Sequence, residues 1–136
     1  MTSCVPKSLA AAFIVFATQA SANSPCDAND TLVIVSAVDD GLYDDAYGPH
    51  NVIDGVVDPV SRWSNESLGT PKSILLDLGA EQTVKGLSIA WHKGDERSTK
   101  FNVEASVDNE SFVLIVADMQ SVGGTLDLEP YDINAV

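Results

Sequence analysis

Residues 101–117 read FNVEASVDNESFVLIVA. Phe101, Val103 and Ala105 alternate with Asn102, Glu104 and Ser106. A period of two sends one set to each face of the chain, which predicts a half-buried strand. Val107-Asp108-Asn109-Glu110 follows with turn-forming residues. Ser111 to Ala117 is again apolar and β-branched, so the chain reverses and returns as a second strand.

Working outward, the same period recurs. Leu32 to Val38 (LVIVSAV) predicts a strand. Ser73 to Leu78 (SILLDL) and Thr83 to Trp91 (TVKGLSIAW) flank Gly79-Ala80-Glu81-Gln82, a connection whose length predicts a hairpin. Thr125 to Leu128 (TLDL) predicts a short last strand. No stretch has a convincing amphipathic helical period, and there is no internal repeat. Short strands punctuated by turns predict an all-β antiparallel sandwich or barrel. If consecutive strands reverse, the loops at 63–72, 92–100 and 118–124 share one end, where sandwiches carry function.

The N-terminus reads differently. Lys7, the apolar run Leu9 to Ala17 and the closing Ala20-Ser21-Ala22 have the layout of a secretory signal peptide. The run is far shorter than the roughly 20 residues of a membrane span. The expected organisation is therefore a signal peptide over 1–22, a polar lead-in over 23–31 and one domain over 32–136. Cleavage removes Lys7 and leaves 6 Lys+Arg against 20 Asp+Glu, a net of −14. Such a surface repels nucleic acid and anionic headgroups and suits a soluble extracellular protein, calcium sites, or both; the expected module is a monomer. Cys26 is left alone after cleavage, and its partner is expected beyond Val136.

Five of the six remaining cations, Arg62, Lys72, Lys93, Arg97 and Lys100, fall at or beside the long loops. They either pair locally with Glu66, Asp95 and Glu96 or recognise carboxylate or sulfate on a sugar.

The ordered set "SAVDDG", "YGPHNVIDGVVDPVSRWSNE", "ILLDLGAEQTVKGLSIAW" and "KFNVEASVDNESF" resembles the discoidin (coagulation factor 5/8 type C) domains over about residues 32–136. "AWHKGDERSTKF" and "SVGGTLDLEPYD" are similar to modules near the family 32 carbohydrate-binding modules, attached to bacterial polysaccharide lyases of the alginate type. The resemblance implies a galactose-binding-domain-like jelly roll. The family closes with further strands beyond the point reached at Val136, so the implied domain is missing its last strands. It also implies a structural Ca2+ on the 51–62 turn, with Asp54, Asp58 and Ser61 as side-chain ligands. Carboxylate, hydroxyl and carbonyl oxygens on an irregular loop are what a hard cation takes. The competing reading of the same stretch is an ordinary Asp-Gly and Asp-Pro turn pair.

The resemblance places Trp63 in the core. Trp91 either stacks on a sugar or is buried with Leu87 and Ile89. His92, Lys93, Asp95, Arg97 and Tyr43, together with Trp91, are the candidate ligand-binding residues; Tyr47 also stands near. Catalysis lacks support: there is no G-x-S-x-G, no H-E-x-x-H and no Cys-His pair. The expected function is a secreted, non-catalytic module for a polysaccharide or oligosaccharide. The alternative is an extracellular adhesion module for protein or lipid headgroups; the polar loops 64–72 and 92–100 argue against its lipid version.

Overall fold

The computed structural model describes residues 31–41, 44–66 and 69–133. Six strands carry the architecture: β1 (Ser36–Asp39), β2 (Ile74–Asp77), β3 (Gly86–Ala90), β4 (Lys100–Ala105), β5 (Val113–Gln120) and β6 (Leu128–Asp132). Two short 3-10 turns, Asp45–Tyr47 and Pro49–Val52, follow β1. The fold is an all-β antiparallel sandwich built from three strand pairs, β1 with β2, β3 with β6 and β4 with β5. No described helix is long and apolar enough to cross a membrane.

β4 and β5 form as their alternation demands. Phe101 and Val103 face inward and Asn102 and Glu104 outward. Asp108 fastens the turn between them, accepting from Glu110 N at 2.9 Å and Ser111 N at 2.8 Å. Those bonds and one from the Ser106 hydroxyl hold its carboxyl well below the usual carboxylate range. Asn109 supplies the left-handed residue, with φ of 58°. The register shifts around Val103, and the Asn102 side chain accepts Asp118 N–H at 3.0 Å opposite that irregularity.

The hairpin expected between 73–78 and 83–91 does not form. β2 pairs with β1, its Leu76 opposite Ala37, and β3 pairs with β6, its Leu87 opposite Tyr131. The intervening segment crosses from one strand pair to another. Gly79 starts the crossing at φ of 75°, and Val35 Cγ2 lies 2.8 Å from where a Cβ would sit. A side chain is excluded there twice, by conformation and by space. The first strand is also shorter than expected. Leu32 to Val35 lie outside β1, although Val35 N still donates to Asp77 O at 2.7 Å. The last strand falls at 128–132 rather than 125–128. Leu126 takes φ of 59°, which no strand continues through.

The core lies where β3, β4 and β6 face one another. Leu87, Ile89, Trp91, Phe101, Val103, Tyr131 and Ile133 form it. Burying each of the larger side chains stabilises the fold by about 1.5–3 kcal/mol. Phe101 sits edge-on to Tyr131, with ring centres 5.0 Å apart, and 5.5 Å from Trp91.

Candidate functional site

β3 ends at Ala90 and the chain enters the 91–99 loop, which carries most of the expected ligand contacts. The loop is braced from behind by residues 121–126. Leu126 N donates to Trp91 O at 3.0 Å. Asp95 N donates to Thr125 Oγ1 at 3.1 Å, and the Thr125 hydroxyl donates back to the Asp95 carboxylate. That bond holds Asp95 below the usual carboxylate range. Gly94 and Gly124 meet so closely that a Cβ on Gly94 would lie 1.9 Å from the Gly124 carbonyl oxygen. Of the three loops expected to share one end, 92–100 and 118–124 meet here.

This end opens into a cavity of about 570 Å³. Trp63, Trp91, Leu126 and Leu128 are among its apolar lining, and Arg62, Lys72, His92 and Arg97 bring nitrogen donors to it. A mostly apolar concavity with a few convergent polar groups is the usual form of a small-ligand site. His92 is half-buried. Burial pushes its pKa down, and the charges of Arg62, Arg97 and Lys93 push it further. It is therefore neutral at pH 7, with one nitrogen to donate and one to accept.

Each expected contact can now be placed. Lys93 is exposed and spans to Glu96, at 3.0 Å. Arg97 makes no ion pair or side-chain hydrogen bond with a described residue, and Asp95 is engaged by Thr125 instead. Of the five rim cations, Arg62, Lys72 and Arg97 line the cavity; Lys93 and Lys100 do not. Trp91 is not an exposed platform. It is 7% exposed, and its ring N–H donates to the Tyr131 hydroxyl at 2.9 Å. Its alternation with Leu87 and Ile89 decides that outcome, and the ring reaches the cavity only as part of its wall. Trp63, expected in the core, is half-buried on the cavity wall, and its ring N–H donates to Asp39 at 2.6 Å. Tyr43 and the signal segment with Cys26 lie outside the described residues.

The 51–62 turn holds Asp54, Asp58 and Ser61 together. Val56 N donates to Asp54 at 2.8 Å, and the Ser61 hydroxyl donates to the other oxygen of Asp54. Asp58 accepts from Val60 N and Ser61 N, both at 2.7 Å. The oxygens are of the kind a hard cation takes, and Asp54 and Ser61 already touch. No described group of three His, Cys, Asp or Glu side chains gathers here or elsewhere. A cation here would draw on Ser61 and loop carbonyls besides the two carboxylates.

Two features escaped sequence reasoning. Arg62 stacks on Tyr47, with its guanidinium carbon 3.7 Å from the ring centre. Their separation of fifteen positions has no helical or strand period to reveal it. The rim is also less polar than loops 64–72 and 92–100 suggested, because Val56, Val57 and Val60 on the 51–62 turn are exposed.

The model of the F5/8 type C domain matches residues 19–134. Among solved structures, one titled "Truncated AlyQ with CBM32 and alginate lyase domains" superposes with a TM-score of 0.63 at 32% identity. The match covers 76% of this chain and 25% of that one, so the chain spans about a quarter of that structure's length. A comparison with curated proteins gives no match.

Proposed function

The chain belongs to the F5/8 type C domain family, and from that premise we propose that it is an exported, non-catalytic carbohydrate-binding module that prefers acidic glycans. The observation that carries the reading is the gathering of Arg62, Lys72, Arg97 and neutral His92 around one cavity on a protein of net charge −13. Arg97 presents a fork of donors without a carboxylate among the described residues to satisfy it, and uronate or sulfate fits that fork. His92 suits a sugar hydroxyl, and the apolar wall suits the C–H faces of a sugar ring. The related structure pairs such a module with an alginate lyase, which supports a role in holding an enzyme against its polysaccharide.

Repulsion from the acidic body opposes this preference at long range. Charges separated by more than about 8 Å are screened at physiological salt, while a fork acts at contact. The local attraction therefore decides. Calorimetric titration with a uronate and with a neutral galactoside, at low and high salt, tests the reading. Tighter, salt-weakened binding of the uronate is expected; equal and salt-independent affinities would end it.

Two companion proposals follow. Calcium bound through Asp54, Asp58 and Ser61 stiffens the 51–62 turn that walls the cavity. Export follows cleavage after Ala22, and a secreted protein beginning at Asn23 by mass spectrometry is the expected product.

The second reading, adhesion to lipid or protein, draws on exposed Val56, Val57 and Val60 beside the cationic cavity. Retention on phosphatidylserine vesicles without retardation by any glycan would put it first.

A further inference from the structure

Arg62 follows directly on the 54–61 turn, and its position is fixed by several contacts. Its guanidinium stacks on Tyr47, and its Nη1 donates to the Pro59 carbonyl at 2.5 Å. The backbone that follows it is tied as well. Asn51 Nδ2 donates to the Arg62 carbonyl at 2.9 Å, and Ser64 N donates to Tyr47 O at 2.9 Å. Stacking and one carbonyl occupy the ring face and one nitrogen. They leave further N–H groups of the fork without an acceptor among the described residues.

Among the described residues no carboxylate pairs with Arg62; the ion pair found there is Lys93–Glu96. That is notable in a chain with 20 acidic residues against 7 basic ones. Asp54 and Asp58 line the same cavity, but Asp54 turns both carboxylate oxygens, and Asp58 one, onto their own loop. A guanidinium immobilised in advance and left without a carboxylate loses little freedom when an external one arrives.

Arg62 and Arg97 come from different loops, 35 positions and two strands apart, yet line one cavity. A cavity of about 570 Å³ is in the range that takes a drug-sized ligand, larger than one monosaccharide needs. We propose that Arg62 is a second anion subsite, so that the module reads two carboxylates along a run of adjacent uronate residues rather than one acidic sugar. The inference rests on the acidic-glycan reading above and extends it to chain length and to a residue outside the 91–99 loop.

The test compares galacturonate with tri-galacturonate, and mannuronate with tri-mannuronate, by calorimetry on the full chain. The native protein is expected to bind a trimer at least about tenfold more tightly than its monomer, because the second contact becomes intramolecular. Arg62→Gln should lose most of that gain. Arg62→Lys, which keeps the charge and much of the stacking but not the fork, should keep part of it. A far-ultraviolet circular dichroism spectrum matching the native protein reports that the variant is folded. If Arg62→Gln does not fold, Arg62→Lys alone decides, and a trimer gain undiminished in it overturns the proposal. So does a full gain in Arg62→Gln. Native protein that binds monomer and trimer equally removes the second subsite and leaves the acidic-glycan reading standing. Native protein that binds neither removes both.

Discussion

Glu129 and Tyr131, two residues apart on β6, both face inward, and the Tyr131 hydroxyl donates to the Glu129 carboxylate. The same carboxylate accepts Val122 N at 3.0 Å and Gly124 N at 2.7 Å. Through Tyr131 it reaches the Trp91 ring N–H. One buried anion thus fastens the 121–125 loop, on which the 91–99 loop rests, to the core.

This anion makes stability sensitive to acid. Burial pushes the Glu129 pKa up, and the bonds from Tyr131, Val122 and Gly124 outweigh it, so the group sits below its ordinary value. Its stabilisation is fully present above the unfolded carboxyl range, near pH 4.3, and is lost as pH falls through the lower folded value. Melting temperature followed from pH 7 to pH 2 should drop more steeply in the native protein than in Glu129→Gln. Glu129→Ala, which strands several buried donors, should cost about 3 kcal/mol in denaturant unfolding at pH 7. The partner Tyr131, its hydroxyl pushed up to about 12, should stay protonated throughout.

Gly94 faces the Gly124 carbonyl with no space for a methyl group. Gly94→Ala should force the two loops apart, at about 1–3 kcal/mol. Chemical unfolding measures that loss. The strand pairs lie elsewhere, so far-ultraviolet circular dichroism of the variant should match the native protein.

Calcium should raise the melting temperature if Asp54, Asp58 and Ser61 bind it, by an amount that grows with ion concentration. Asp54→Ala should abolish the rise. Identical melting curves in calcium and in chelator would remove the ion from the 51–62 turn.

Removing Arg97 together with Lys93 tests the cationic rim. Lys93 is paired with Glu96 at the surface, so Arg97 should account for most of the effect. The double change to alanine should weaken uronate binding by about 1–3 kcal/mol and flatten its salt dependence. An unaltered uronate affinity, with only a lower melting temperature, would make Arg97 a brace of the loop.

The strands were legible wherever the alternation was made by apolar residues. Phe101 and Val103 declared β4, and Leu87, Ile89 and Trp91 declared β3 with the inward turn of the tryptophan. β6 was misplaced because its inward residues include Glu129, whose charge reads as solvent-facing until its partners are known. The false hairpin across Gly79 had the right length and turn chemistry. Strand pairing is set by which faces bury each other, and that is a property of the whole layer. The loops that frame the site were found from their length and composition. The Arg62–Tyr47 stack was not, because side chains fifteen positions apart on irregular chain meet only through the fold.

Each described strand has a single hydrogen-bonded neighbour. Along β4 and β5, therefore, amides that point at the partner alternate with amides that point away from it. Hydrogen–deuterium exchange should show this as a two-speed ladder. Inward-paired amides would report opening of the strand pair, and their alternates would exchange quickly while the pair is intact. A sheet with a central strand protects both sets, so the contrast between neighbouring residues is itself a fingerprint of this pairwise construction.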